Sequence, residues 1–288
     1  MQYHELGRTG QRLSVIGFGG MLVVGETQPE ADRLVASAVE RGVSYFDVAP
    51  TYGAGEAEER LGPALEPFRD RVFLACKTTR RDAAGAQEEL ERSLRRLRTD
   101  HFDLYQLHGV KELAEVEQVF APGGAMETLL KAREQGKTRF VGFSAHSAEA
   151  AVELLRRFPF DSVLCPLNFA TYLHGGFGPQ IVAAARESGA GLLALKAMCR
   201  RPLPPGTTVE QRPWRKCWYE PITDEAMASL ALRFTLSLPV TAAITPGHEV
   251  LWEMALRVAQ DPTPLTPEEE QRVRELAATT EPLFRTAS

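Results

Sequence analysis

Four residues far apart in the chain carry side chains that together could place a proton on a carbonyl oxygen: Asp47, Tyr52, Lys77 and His108. Each stands at or just past the end of a short apolar run, in Tyr45-Phe46-Asp47-Val48-Ala49-Pro50-Thr51-Tyr52-Gly53, Leu74-Ala75-Cys76-Lys77 and Leu104-Tyr105-Gln106-Leu107-His108. A phenol with a pKa of about 10 is a poor acid at neutral pH, but a neighbouring ammonium favours the phenolate and lowers that pKa. Tyr52 is thus the candidate acid and Lys77 its activator. A lysine inside a protein stays charged only beside a carboxylate, which Asp47 supplies. An imidazole at His108 can hydrogen-bond a carbonyl oxygen and orient it as negative charge develops. Singly, each has a plainer reading as a structural acid, a loop tyrosine, a solvated lysine or a satisfied core histidine. Found at the ends of three successive strands, they read as one site.

That convergence requires an architecture in which strand ends open on a common face. Short β-branched apolar runs alternate with segments that carry apolar residues at helical spacing, as in repeated βα units. The pattern predicts strands over 14–18, 43–48, 72–76, 102–107, 139–143, 162–166, 191–195 and 241–245. It predicts helices over 28–40, 57–65, 86–98, 125–134, 148–157, 179–187, 224–237 and 249–259. Eight of each favour a closed (β/α)8 TIM barrel across 1–288 as one domain, and the length of 288 residues suits it. An open doubly wound sheet lacks its dinucleotide fingerprint, because Gly17-Phe18-Gly19-Gly20-Met21-Leu22 has Leu22 at the last glycine position. Residues 3–14 read as an N-terminal hairpin able to close the barrel floor. The run Thr266-Pro267-Glu268-Glu269-Glu270 opens an extra C-terminal helix that should pack outside the barrel.

Composition narrows the partners. Lys and Arg total 33 against 38 Asp and Glu, a net charge of −5 with the basic residues scattered, which argues against nucleic acid. No basic leader or long apolar stretch marks export or a membrane span, so the expectation is a cytoplasmic protein. Cys76, Cys165, Cys199 and Cys217 have no C-x-x-C pairing, and they are expected to be free thiols with no metal.

At this point the chain resembles the aldo-keto reductase family. Asp47 through Gly53 looks like the family's strand-two signature, with Lys77 and His108 where its tetrad requires them. Further blocks are similar: Leu6-Gly7-Arg8-Thr9-Gly10, Gly17-Phe18-Gly19-Gly20-Met21, Gly136-Lys137-Thr138-Arg139-Phe140-Val141-Gly142-Phe143-Ser144 and Pro246-Gly247. The resemblance implies NAD(P)H-dependent reduction of a small-molecule carbonyl by an Asp47, Tyr52, Lys77 and His108 tetrad, the dinucleotide lying across the barrel mouth. Cofactor contacts would fall on Gly20, Met21, Asp47, Ser144, Asn168, Lys196, Met198, Pro246, Gly247, His248 and Glu253. The implied cofactor is NADPH, with NADH as alternative and a preference that rises as His248 protonates. Departures from the family pattern are Ala145-His146 after Ser144, Leu164 for a common Gln, and Leu195-Lys196 where a ring-stacking Tyr often lies; they imply a less polar nicotinamide pocket. The variant Phe143-Ser144-Ala145-His146 resembles a bacterial branch that often carries a C-terminal iron–sulfur module, and no cysteine follows Cys217 to build one.

Residues 199–223 form the longest irregular stretch, and Trp214, Trp218 and Tyr219 within it are candidate substrate contacts on a lid. The run Gly175-Gly176-Phe177-Gly178 is either a phosphate cradle or a flexible connection. Two rival functions share the same residues: a lyase using Lys77 as a Schiff-base amine, and a non-catalytic nicotinamide-nucleotide-binding regulator.

Overall fold

The computed structural model of the chain describes residues 1–260 and 263–286. The strands are β1 (Tyr3–Glu5), β2 (Arg12–Ser14), β3 (Ile16–Gly19), β4 (Tyr45–Asp47), β5 (Phe73–Thr78), β6 (Phe102–Val110), β7 (Thr138–Ala145), β8 (Ser162–Pro166), β9 (Gly191–Leu195), β10 (Cys199–Pro202), β11 (Tyr219–Pro221) and β12 (Ala242–Ile244). The helices are α1 (Gln28–Glu40), α2 (Glu56–Leu65), α3 (Ala83–Arg96), α4 (Leu113–Phe120), α5 (Ala125–Glu134), α6 (Ala148–Arg157), α7 (Phe169–Leu173), α8 (Pro179–Ser188), α9 (Glu225–Ser237), α10 (Glu249–Gln260) and α11 (Pro267–Thr279). Strands β3 to β9 and β12 pair in parallel and close into an eight-stranded barrel in the order β12-β3-β4-β5-β6-β7-β8-β9. The expected (β/α)8 fold is observed, with its hairpin and its outer C-terminal helix.

Local chemistry explains the elements. Helix α1 starts where the Thr27 hydroxyl accepts the Glu30 N–H, with Pro29 in its first turn, and it buries Ala31, Leu34, Val35 and Ala38 on one stripe. In the strands, alternation sends one set of side chains inward and the other toward the helices. Tyr45, Phe73, Leu104, Leu164, Leu193 and Ile244 fill the barrel interior. Phe18 and Phe46 stack at 5.0 Å in the layer between strands and helices.

The floor is closed by the β1-β2 hairpin. Leu6, fully buried, packs into the interior cluster, and the Arg8 N–H donates to the Gly189 carbonyl. Gly7 has φ +50, and a Cβ there would lie 2.4 Å from the Gly191 nitrogen, so the plug needs glycine. With the floor sealed, the C-terminal strand ends form the accessible mouth.

Beyond shifts of a few residues at element limits, the structure departs from the sequence reading in its extra helices, in the 199–223 stretch and at the end of β6. Helices α4 and α7 were absent from the expected pattern; α4 is held by reciprocal capping between Glu112 and Glu115, and α7 spans five residues capped by Asn168. The stretch over 199–223 is not irregular throughout, because β10 and β11 pair antiparallel at its two ends. Strand β6 extends to Val110, which places His108 within the strand. Among the described residues no helix is long and apolar enough to cross a membrane, and no group of metal-ligating side chains assembles. All four cysteines are free and buried.

Candidate active site

Inward alternation brings the four candidate residues to one side of the mouth. Tyr45 and Asp47 face the barrel from β4, and Gln106 and His108 do so from β6, with Lys77 on β5 between them. Asp47 and Lys77 are buried to 0% and 1% exposure and form an ion pair. The Lys77 ammonium donates also to the Val48 carbonyl at 3.1 Å and to the Tyr52 hydroxyl at 3.4 Å. The second Asp47 oxygen accepts the Tyr45 hydroxyl at 3.2 Å and the Gln106 amide at 3.5 Å. Burial works against the Lys77 charge, but Asp47 overcomes it and holds the lysine above its usual range.

Tyr52 lies on a short 3-10 turn after β4, half-buried, its ring edge-on to His108 with centroids 6.0 Å apart. The expected direction of its pKa is overturned. Burial raises it, Lys77 lowers it by less, and Asp47 pushes it up again, so the net shift is upward. Lys77 delivers a charge already matched by Asp47, and only the remainder reaches the phenol. Tyr52 is therefore fully protonated at neutral pH, ready to donate. Burial, followed by Lys77, pushes His108 well below its ordinary value, so the imidazole is neutral, and its Nδ1 has no partner.

The opposite side of the mouth is built by β7, β8, β9 and β12. The Ser144 hydroxyl accepts the Gly109 N–H at 2.7 Å. Asn168 accepts the Thr171 N–H at 2.9 Å and donates to the Lys196 carbonyl at 3.3 Å. Lys196, at φ 61, is buried with its Nζ 3.2 Å from His146 Nε2. Met198, Pro246 and Gly247 are buried. A Cβ at Gly247 would lie 2.6 Å from that of Met21, and one at Gly20 would lie 3.2 Å from the Asp47 carbonyl oxygen, so these glycines let the loops meet.

Other expected contacts are placed elsewhere. Glu253 is bound by the Arg41 guanidinium at 2.6 and 2.7 Å, between α10 and the end of α1, and is not free for a cofactor. His248 accepts the Lys216 N–H on Nε2 at 3.2 Å; burial and then Lys216 lower its pKa, so the ring is neutral at pH 7 and its titration lies further toward acid. Tyr219, the first residue of β11, is buried in a cluster with Cys199 and Cys217. Trp214 packs on His248 at 5.0 Å, beside a cleft of about 490 Å³. Trp218, 46% exposed, lies over the Lys196 ammonium at 5.2 Å. The Gly175-Gly176 carbonyls receive the C-terminal tail, accepting the Thr286 N–H at 3.0 Å and its hydroxyl at 2.8 Å.

Tyr45, Gln106, His146 and Phe284 were not singled out as site residues by sequence reasoning. The first two sit two residues before Asp47 and His108, so strand period alone could have found them. Phe284 had no local signal. Unpartnered buried atoms, the Thr245 hydroxyl at the end of β12, Gln106 Oε1 and His108 Nδ1, run across the mouth. With the start of α10 just beyond Gly247, they suit a polar ligand carrying both hydrogen-bonding and anionic groups.

A family model described as the aldo/keto reductase family matches residues 15–192. The chain is similar to aldo-keto reductase YhdN of Bacillus subtilis, 28% identical over 69% of this chain and 63% of that protein, and so spans less than two thirds of its length. It is also similar to the uncharacterized oxidoreductase YqkF of Bacillus subtilis, 25% identical over 86% of this chain and 87% of that protein. Among solved structures it is similar to aldo-keto reductase AKR11C1 from Bacillus halodurans in its holo form, with TM-score 0.75, 26% identity and 99% of each chain covered.

Proposed function

The chain belongs to the aldo/keto reductase family, and on that premise we propose that it reduces aldehydes or ketones to alcohols, acting as a single barrel domain in the cytoplasm. A nicotinamide dinucleotide, NADPH ahead of NADH, would supply the hydride when bound. Gly20, Met21, Ser144, Asn168, Met198, Pro246, Gly247 and His248 would hold it, leaving the Lys196 ammonium outside the cofactor set. Tyr52 donates its hydroxyl proton to the carbonyl oxygen, and Lys77 at 3.4 Å stabilises the phenolate that remains. Asp47 keeps Lys77 charged and fixed. Neutral His108 hydrogen-bonds the same carbonyl oxygen and orients it.

The observation that carries this reading is the Asp47–Lys77–Tyr52 relay, a buried ion pair whose ammonium reaches the phenol hydroxyl. It also disfavours the lyase: a Schiff base needs a neutral amine, and Asp47 holds Lys77 charged. The same ion pair beneath a phenol favours a reductase over a regulator without chemistry. The test is Tyr52→Phe with NADPH and a carbonyl panel, followed at the reduced nicotinamide absorbance. Turnover should fall about 100- to 10,000-fold while cofactor Kd stays within threefold. Retention of more than a third of wild-type turnover, with chemistry rate-limiting, would refute the acid assignment.

A further inference from the structure

Lys196 is a cation at the mouth without a carboxylate. Among the neighbouring cations Lys77 is matched by Asp47, Arg81 by Glu115 and Lys216 by Glu26, whereas Lys111 near His146 is exposed to solvent. Lys196, 8% exposed, has no ion pair among the described residues. Its Nζ donates to His146 Nε2 at 3.2 Å and lies over the rings of Trp218 at 5.2 Å and Phe284 at 5.3 Å. Ring faces attract an ammonium but do not neutralise it. A charge taken from water without a counter-charge is costly, and a ligand anion relieves that cost.

Three segments distant in sequence build this box. His146 follows β7, Trp218 precedes β11, and Phe284 comes from the tail anchored at Gly175 and Gly176. The box adjoins the proton-donating side, because the His146 N–H donates to the Val110 carbonyl at 2.9 Å, two residues beyond His108. Lys196 also holds a left-handed backbone at φ 61, a conformation rare for lysine and found disproportionately at functional positions.

We propose that Lys196 binds a carboxylate on the carbonyl substrate, which makes the substrate class an aldehyde or keto acid. This rests on the reductase reading and assigns its specificity. Burial pulls the Lys196 pKa to about 8, against smaller raising effects of Cys199 and Cys165 and with a lowering one from Lys77. His146 faces it as a neutral acceptor: burial, then Lys196 and Lys111, lower its pKa to about 3. The ammonium is half lost at about pH 8, so carboxylate affinity is full well below that value and weakens as pH rises through it.

The test compares benzoate with benzamide by calorimetry on wild type, Lys196→Met and Lys196→Arg, each with and without saturating NADPH. It also compares reduction of 4-carboxybenzaldehyde with that of methyl 4-formylbenzoate. Wild type should favour the carboxylates by about ten- to hundredfold; Lys196→Met should collapse that ratio, and Lys196→Arg should keep most of it. Equal binding of benzoate and benzamide by wild type overturns the proposal whether or not the variants fold. Displacement of benzoate by NADPH, with NADPH affinity lost in Lys196→Met, also overturns it, since the anion held is then the cofactor's. Preferential benzoate binding with neither aldehyde reduced would reject the reductase reading while supporting the anion site.

Discussion

Replacing Lys77 by Met tests the base of the relay through stability as well as activity. The ammonium is the ion-pair partner of a fully buried carboxylate, which would keep only the Tyr45 hydroxyl at 3.2 Å and the Gln106 amide at 3.5 Å. Removing one partner of a buried pair costs about 3 to 5 kcal/mol, because the remaining charge is left without compensation. For 288 residues the unfolding entropy is about 0.6 kcal/mol/K, so the melting temperature should drop by roughly 5 to 8 °C. The loss belongs to the stranded charge, so Lys77→Met with Asp47→Asn should recover at least half of it. Circular dichroism melts at pH 7 of wild type, both single variants and the double variant measure this directly. Turnover should be low in both variants that lack Lys77, since the phenolate left by Tyr52 has no cation beside it. A Lys77→Met protein melting within 2 °C of wild type, or a double variant no more stable than Lys77→Met, would refute the reasoning.

Leu6→Ala removes the floor plug and should cost about 2 to 5 kcal/mol, read as a lowered melting temperature with kcat/KM at 25 °C within twofold of wild type. A melting temperature unchanged within 1 °C would show that the hairpin does not brace the barrel. His248→Asn should leave the ratio of NADH to NADPH Kd within threefold of wild type at pH 7.5, because burial and then Lys216 lower the His248 pKa and the ring is neutral there; a tenfold loss would assign the adenosine phosphate to His248. Trp218→Ala removes an exposed ring at the mouth and should raise KM for bulky carbonyls more than for small ones; equal changes would remove Trp218 from the substrate path.

Much of the frame was legible because local signals agreed with the global fold. The sequence reading placed 28–40, 125–134, 148–157, 162–166 and 191–195 at their observed limits, where caps such as Thr27 and Ser147 or uninterrupted apolar runs mark the ends. Helix α4 escaped because its start rests on a Glu112–Glu115 capping exchange rather than the commoner Ser or Thr. Short β4 ran over fewer residues than 43–48, since backbone pairing and not apolar character sets its limits. The grouping of Asp47, Tyr52, Lys77 and His108 was visible because its members differ in type and lie near the C-terminal ends of three successive barrel strands. The net Tyr52 shift was not, for it depends on how deeply the ring is buried and on how much of the Lys77 charge Asp47 already balances.

The two lysines show what spacing leaves open. Lys77 and Lys196 occupy similar places, at or just past the ends of parallel strands and buried at the same mouth. Their surroundings reverse their behaviour. A carboxylate on the neighbouring strand fixes Lys77 above the ordinary range, whereas His146, Trp218 and Phe284 give Lys196 a neutral acceptor and two ring faces, and its pKa falls to about 8. Asp47 is readable from sequence because strand pairing sets it beside Lys77. Trp218 and Phe284 are not, because they reach Lys196 through the β10-β11 hairpin and through a tail anchored on Gly175 and Gly176, contacts that no periodicity encodes. The proposed proton donor thus lies where strand order specifies it, while the side of the mouth that would choose a substrate is assembled by loops.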